Sequence, residues 1–416
     1  MQPQQAGDED GDVVTPWTVT AKSETGVDYD KLVQKFGSEL ITSELLSRIE
    51  SSTGVKPHHF LSRGIVFSHR DLQSILKTHE DKKPFYVYTG RGPSSTAMHV
   101  GHLLPFIFTV WLQKTFQCPV VIQLTDDEKW ICDPEKMTRE KAEKFAFENS
   151  RDIIACGFDI KNTLIFSNLG VLSHKVNLPE FSPLADAIGI KTTNNKVRAV
   201  FGFSGEDSIT KNFFPARQSV PAFSTVFRHV FGMDEKSKPI PCLIPCGIDQ
   251  DPYFRITRDI AQKLDHPKPA LLHSKFFPAL QGLKKKMSAS DETSAIFLTD
   301  SPAQIKNKIN KYAYSGGGDT VEEHRAKGGN CDIDIPFQYL RYFMEDDEKV
   351  AAIHKSYSSG EMLTGELKKV TIEVVQKLVQ EHQRKRAKVT DDIVRQFMSV
   401  EAFPRKNCSS LDFEQD

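Results

Sequence analysis

Apolar positions along this chain change period twice. From Tyr29 to Glu80 they read as helices and turns, with helical stretches at Asp30 to Phe36 and Asp71 to Lys77. From Pro84 onward short apolar runs alternate with helical patterns. Pro84 to Thr89 (PFYVYT) is apolar and aromatic and stops at Gly90-Arg91-Gly92-Pro93-Ser94-Ser95, which predicts a buried strand running into a loop. Met98, Val100, Leu103, Leu104, Phe106, Ile107, Val110, Trp111 and Leu112 then mark one broad helical face. Further strands are predicted at Pro119 to Leu124, Thr163 to Phe166, Leu243 to Cys246 and Ala270 to His273. Between them lie a helix from Thr138 to Cys156, with Thr138 as its cap, and one from about Pro252 to Leu264. This alternation predicts a parallel α/β sheet whose strand ends line one crevice.

After Asp300 the strand signal stops. Ser301-Pro302 is a cap and first-turn pair, and Glu366 to Lys388 carries Leu367, Val370, Ile372, Val374, Val375, Leu378 and Val379 at helical spacing. A helical C-terminal domain is expected. Its last long helix ends in Arg384-Lys385-Arg386-Ala387-Lys388, a cluster suited to nucleic-acid phosphates or simply to a helix C-terminus.

Composition narrows little. The 416 residues carry a formal charge of -1, which excludes a wholly basic nucleic-acid coat but leaves room for a local basic surface. Seven cysteines, at 118, 132, 156, 242, 246, 331 and 408, show no zinc-ribbon spacing; reduced thiols, a cytoplasmic location and no protein metal site are expected. No run of about eighteen apolar residues appears, so no membrane-spanning helix is expected. Met1 to Asp12 is rich in Gln, Gly and acid, and reads as a disordered tail.

Two short strings carry candidate chemistry. His99 and His102, with Gly101 between them, fall at the predicted N-terminus of the helix after Met98, where unpaired amides and a partial positive charge suit a phosphate. Leu283-Lys284-Lys285-Lys286 leads into Met287-Ser288-Ala289-Ser290, combining a mobile cationic loop with two hydroxyl donors; Lys286 is placed to stabilise charge on a leaving pyrophosphate.

These strings resemble the His-x-Gly-His and Lys-Met-Ser-x-Ser signatures of class I aminoacyl-tRNA synthetases. Longer stretches, Tyr88 to Ser95, Thr125-Asp126-Asp127-Glu128-Lys129 and Ile248 to Tyr253, are similar to the eukaryotic cytosolic type of tryptophanyl-tRNA synthetase. The resemblance runs from about Thr15 to Met398. It implies a Rossmann-like catalytic domain at 83–298, a disordered acidic tail at 1–14, an extension at 15–82 packed on that domain, a helical anticodon-binding domain at 299–400 and a tail at 401–416. It further implies a homodimer, with tRNA(Trp), L-tryptophan and ATP as partners.

By the same resemblance, Tyr88 and Gln123 recognise the indole, whose nitrogen is a donor with no acceptor. Glu128, Gln218 and Gln250 hold the ammonium group. Gly90, Arg91, Gly92, Ser94, Ser95, Gly101, Asp249 and Met287 bind ATP together with His99, His102, Lys286 and Ser288. His99, His102, Lys286, Ser288 and Ser290 form the catalytic set, and the ATP phosphates supply most ligands of Mg2+. Gly247, the tract Gly170 to Thr193, and Ala289 depart from the general pattern. A tyrosyl-tRNA synthetase would want a different pocket from Gln123 and the Tyr88 string. A catalytically silent RNA-binding relative would not need His99, His102, Lys286 and Gln250.

Overall fold

Short strands with continuous apolar sequence are buried on both faces, and five of them form the parallel heart of a seven-stranded sheet. The computed structural model describes residues 12–14, 19–288, 291–409, 411 and 413. The sheet runs in the order Glu39–Leu40, Val66–Arg70, Ala270–Ser274, Cys242–Gly247, Tyr86–Arg91, Val120–Leu124, Thr163–Ser167. Strand order reverses at Tyr86–Arg91, which has the next strand in the chain on one side and the later Cys242–Gly247 on the other. That is a topological switch point, where open α/β sheets bind ligands beyond their carboxyl ends.

The extension is more than a layer laid on the sheet. Where helices and turns were expected, Glu39–Leu40 and Val66–Arg70 extend the sheet antiparallel, the latter pairing with Ala270–Ser274. Ser68 and His69 break the apolar pattern yet are buried, because Ser68 Oγ is 2.9 Å from His273 Nδ1 inside the sheet. Asp12, assigned to the tail, also belongs to the folded part: its carboxylate accepts from the backbone of Lys22 and Asp28. Val13–Val14 pairs antiparallel with Val19–Thr20, and the strand Gly282–Lys286 pairs with the latter, Lys285 opposite Thr20. The lysine run expected as a mobile loop is therefore a β-strand in a small second sheet. Residues 1–11, the rest of the expected tail, lie outside the described residues.

The helical domain comprises Pro302–Tyr312, Val321–Lys327, Ile335–Phe343, Asp347–Ser358, Thr364–Ala387 and Asp391–Phe397. Leu367, Ile372, Val375 and Val379 make the buried stripe of its long helix. Part of the basic end of that helix faces inward. Arg386 reaches Glu148 at 2.8 Å and Asp152 at 2.9 Å, and His382 Nε2 lies 3.0 Å from Asp152. Arg386 thus docks the helical domain on the helix Arg139–Ile154. Among the described residues no helix is long and apolar enough to cross a membrane, and all seven cysteines are free thiols.

One buried ion pair ties the extension to the switch point. Arg70 donates two hydrogen bonds to Asp251, at 2.6 and 2.9 Å, and two more to the carbonyls of Phe36 and Gly37. Burial opposes ionisation of Asp251, but His273 and Arg70 outweigh it and hold the carboxyl down at about 2. Removing one partner of such a pair leaves a buried charge uncompensated. Arg70→Met is expected to lower stability by about 3–5 kcal/mol, measured by denaturant unfolding.

Candidate active site

The crevice at the switch point encloses a cavity of about 430 Å³ lined from both sides by the predicted strings. Register decides its floor. Gly90, Gln123 and Phe166 stand side by side across three strands, as do Arg91, Leu124 and Ser167. Tyr88 and Gln123 thereby converge: the Tyr88 hydroxyl lies 2.6 Å from Gln123 Oε1 and 3.0 Å from the carbonyl of Gln218. Gln123 is fully buried, and its Nε2 donates to Asn168 Oδ1 at 2.9 Å and to the Arg217 carbonyl at 3.3 Å. Its oxygen therefore faces Tyr88. Phe254 packs edge-on against Tyr88 at 6.0 Å, and Tyr253 stacks on Phe201 at 3.7 Å between ring centres. The result is an apolar slot with acceptor oxygens at one end.

Groups expected around an ammonium line the same cavity. Gln218, on the helix Ile209–Ser219, has its Oε1 buried without a hydrogen-bond partner. Glu128, on the helix Asp126–Cys132, accepts from Thr125 Oγ1 and from Lys129 Nζ, each at 3.1 Å. Gln250 closes the turn Ile248–Gln250 that follows Cys242–Gly247. Gly92 passes so close to this wall that a Cβ there would stand 2.9 Å from Glu128 Oε2. A Cβ at Gly247 would stand 2.6 Å from Asp249 Oδ1, so this glycine fits the local turn.

At the opposite wall, Val100–Phe116 begins with His99 as its N-cap, as the apolar spacing predicts. The two histidine rings stack at 3.4 Å, and His102 Nδ1 accepts from the His99 backbone at 3.3 Å. Nδ1 acts as acceptor, so Nε2 is the ring nitrogen left to donate. Burial, with Arg91 nearby, pulls His99 down to about 3. His99 is therefore a neutral ring, with a buried unpartnered Nδ1, and adds no second positive charge. A Cβ at Gly101 would meet Phe277 at 3.0 Å and the His99 ring at 3.2 Å, so its bareness serves packing as well as ligand space.

Arg91 supplies the fixed cation. Its Nε donates to Asn149 Oδ1 at 3.2 Å, its Nη2 is buried without a partner, and burial lowers its pKa only to about 10. An unpartnered acceptor at Gln218 and unpartnered donors on Arg91 suit a zwitterion joined to a phosphate.

Other predicted residues sit less directly. Met287 and Asp249 line the cavity. Ser94 is exposed, and Ser95 Oγ is committed to the carbonyl of Ala97 at 2.8 Å. Ser288 follows the lysine strand. The Lys286 side chain and Ser290 lie outside what the structure describes. Residues 296–298 return to the histidine string through the bridge between His99 and Phe297. Pattern reading missed Asn149, Asn168, Arg217 and Phe277. An isolated Asn or Arg has no periodic signature, although Asn168 directly follows a legible strand.

Asp126 and Asp127 do not form a solvated turn. Both are fully buried. Asp126 accepts from Ser167 Oγ and from the Leu169 backbone at 3.0 Å; Asp127 accepts from Asn168 Nδ2 at 2.8 Å and lies 3.5 Å from Arg217 Nη1. Burial pushes Asp126 up to about 7 and Asp127 up to about 6, against these hydrogen bonds. Among the described residues no three His, Cys, Asp or Glu side chains gather as a metal site.

The parallel sheet with a ligand crevice at its switch point and the histidine pair at a helix N-terminus agree with the class I synthetase fold that the sequence resemblance implied. The family model for class I tRNA synthetases for tryptophan and tyrosine matches residues 80–380. The chain is 56% identical over 403 residues to the cytoplasmic tryptophan–tRNA ligase of Homo sapiens, covering 97% of this chain and 83% of that one. It is 50% identical to the cytoplasmic tryptophan–tRNA ligase of Dictyostelium discoideum, covering 93% and 95%. A solved tryptophanyl-tRNA synthetase from Encephalitozoon cuniculi, bound to tryptophan, superposes with TM-score 0.82 at 39% identity, covering 91% and 99%. The chain belongs to the tryptophan–tRNA ligase branch of this class I family.

The raised Asp126 carboxyl has a measurable consequence. It ionises near 3.8 when unfolded and near 7 when folded, so the folded state holds the extra proton and its advantage is lost as pH rises between those values. The melting temperature of wild type minus that of Asp126→Asn should fall from pH 4 to pH 7. A flat difference would contradict the raised value.

Proposed function

We propose that the chain activates L-tryptophan with ATP, giving tryptophanyl-adenylate and pyrophosphate, and transfers the tryptophanyl group to tRNA(Trp). The observation that carries this reading is the buried, one-way Gln123 amide beside Tyr88 at the end of an apolar slot. An indole N–H needs an acceptor there, and both oxygens have lone pairs to spare. The orphaned Gln218 Oε1, with Glu128 and Gln250, supports an ammonium site one side-chain length away.

In this pose a tryptophan carboxylate oxygen attacks the α-phosphorus of ATP, and the bond to the bridging oxygen of pyrophosphate breaks in line. The 2′- or 3′-hydroxyl of the tRNA terminal ribose then attacks the carbonyl carbon and AMP leaves. No side chain becomes covalently bound. The protein's work is positioning and charge stabilisation. Arg91 and the amides opening Val100–Phe116 face the phosphates, with His102 Nε2–H as a donor beside them. Lys286 is assigned to the pyrophosphate by its place in the second signature. Magnesium enters as the counter-ion of the triphosphate.

Phenylalanine brings no N–H to the spare lone pairs of the buried acceptors, and tyrosine places its hydroxyl where an indole ring belongs; rejection by hydrogen-bonding sites can reach about 10⁴, so selection needs no second hydrolytic site. A cytoplasmic location, a homodimer and anticodon contact through the helical domain belong to the same reading. Ile190, 81% exposed, and Ile209, 90% exposed, stand on neighbouring helices and support a contact between copies there.

ATP–pyrophosphate exchange with each of the twenty amino acids tests the proposal. Tryptophan alone should drive exchange; a tyrosine response, or none, would overturn it. Lys286→Ala should lower the rate of adenylate formation by about 10² to 10³ with little change in tryptophan affinity. An unchanged rate in single-turnover measurements would remove Lys286 from the chemistry.

A further inference from the structure

An amide side chain presents an oxygen on one side and an NH2 on the other, and turning it over costs little unless its neighbours object. Gln123 has neighbours that object in sequence. The Asp127 carboxylate, fully buried, can only accept, so Asn168 must turn its Nδ2 toward it, at 2.8 Å. That leaves Asn168 Oδ1 facing Gln123, whose Nε2 answers at 2.9 Å. Gln123 Oε1 is thereby left facing Tyr88 and the slot. Arg217 braces both ends: its carbonyl takes Nε2 of Gln123 at 3.3 Å, and its guanidinium stands 3.5 Å from Asp127 Oδ2. Asp127, Asn168 and Gln123 are each at 0% exposure, so a reversed amide would face acceptor with acceptor where water cannot relieve it.

We propose that Asn168 is a positioning residue for amino-acid selection: held by Asp127, it fixes the Gln123 carboxamide so that an oxygen, not an NH2, meets the indole N–H. This rests on the reading of Gln123 and Tyr88 as the indole acceptors and extends it by one layer. With Asn168 silenced, Gln123 keeps only the Arg217 carbonyl and the Tyr88 hydroxyl; that hydroxyl can donate to the Gln218 carbonyl instead and accept from a reversed amide, so Gln123 samples the orientation in which its NH2 faces the indole N–H.

The test compares kcat/KM in ATP–pyrophosphate exchange for tryptophan and for β-(1-benzothiophen-3-yl)alanine, in which sulfur replaces the indole N–H at nearly the same shape. Wild type should prefer tryptophan strongly. Asn168→Leu, similar in size but unable to hydrogen-bond, should shrink that preference about tenfold or more. A role confined to packing would slow both substrates alike and leave the ratio intact. Asn168→Asp retains an oxygen toward Gln123 when one proton is shared with Asp127, and should keep most of the preference. If Asn168→Leu does not fold, Asp127→Asn decides. Its amide lets Asn168 turn over, and the ratio should again fall. An unchanged ratio in the folded variant would overturn the relay while leaving the indole site standing; a wild type without preference for the N–H would overturn both.

Discussion

Burial of polar side chains at the carboxyl ends of three neighbouring strands is the constraint on which the site depends. Tyr88, Gln123, Asp126, Asp127 and Asn168 are all shut away from solvent, and an unmet polar group there costs on the order of 1–3 kcal/mol. Each must therefore find a partner, and the partners come from different segments. Register between Tyr86–Arg91, Val120–Leu124 and Thr163–Ser167 brings them together. Among the described residues that line the crevice, Gln218 Oε1, Arg91 Nη2, His99 Nδ1 and the Tyr253 hydroxyl are buried and unmet. On the proposed reading, a bound substrate would complete the network at those atoms.

The helix Arg139–Ile154 carries the outer side of this arrangement. Asn149 accepts from Arg91 and donates to the Ser95 carbonyl at 2.8 Å, which fixes the loop after the first parallel strand. Glu148 and Asp152, on the same helix, hold Arg386 and His382 of the helical domain. The Arg91 side chain and the docking of the helical domain thus share one helix. On the other flank, Arg70 and Asp251 fasten the extension to the helix that follows Gln250, and the strand Val19–Thr20 pairs with the lysine strand. The extension therefore reaches two elements next to crevice-lining residues, the helix that carries Tyr253 and Phe254 and the strand that precedes Met287.

Much of this was legible in the sequence, for physical reasons. Strands buried on both faces leave continuous apolar runs, so Tyr86–Arg91, Val120–Leu124 and Thr163–Ser167 could be read directly. Helix starts at Thr138 and Ser301 could be read because their side chains cap the following amides. The strand Val66–Arg70 was not, because buried Ser68 and His69 break its pattern. Nor was the strand character of Lys284, since charged residues pair in a sheet only when a partner strand arrives, here from residues about 260 positions earlier, as its ion pair with Glu24 illustrates. Asp126 and Asp127 look like surface acids until Ser167, Asn168 and Arg217 arrive to bond them. Long-range polar pairing leaves no trace in local spacing.

The account turns on which way the amino acid lies in the slot. A crystal structure of the protein with L-tryptophan and a non-hydrolysable ATP analogue measures this directly. The account predicts the indole nitrogen within hydrogen-bond distance of Gln123 Oε1 or the Tyr88 hydroxyl, with the ammonium at Gln218, Glu128 and Gln250. An indole nitrogen pointing away from Gln123 and Tyr88, or an ammonium seated elsewhere, would contradict it.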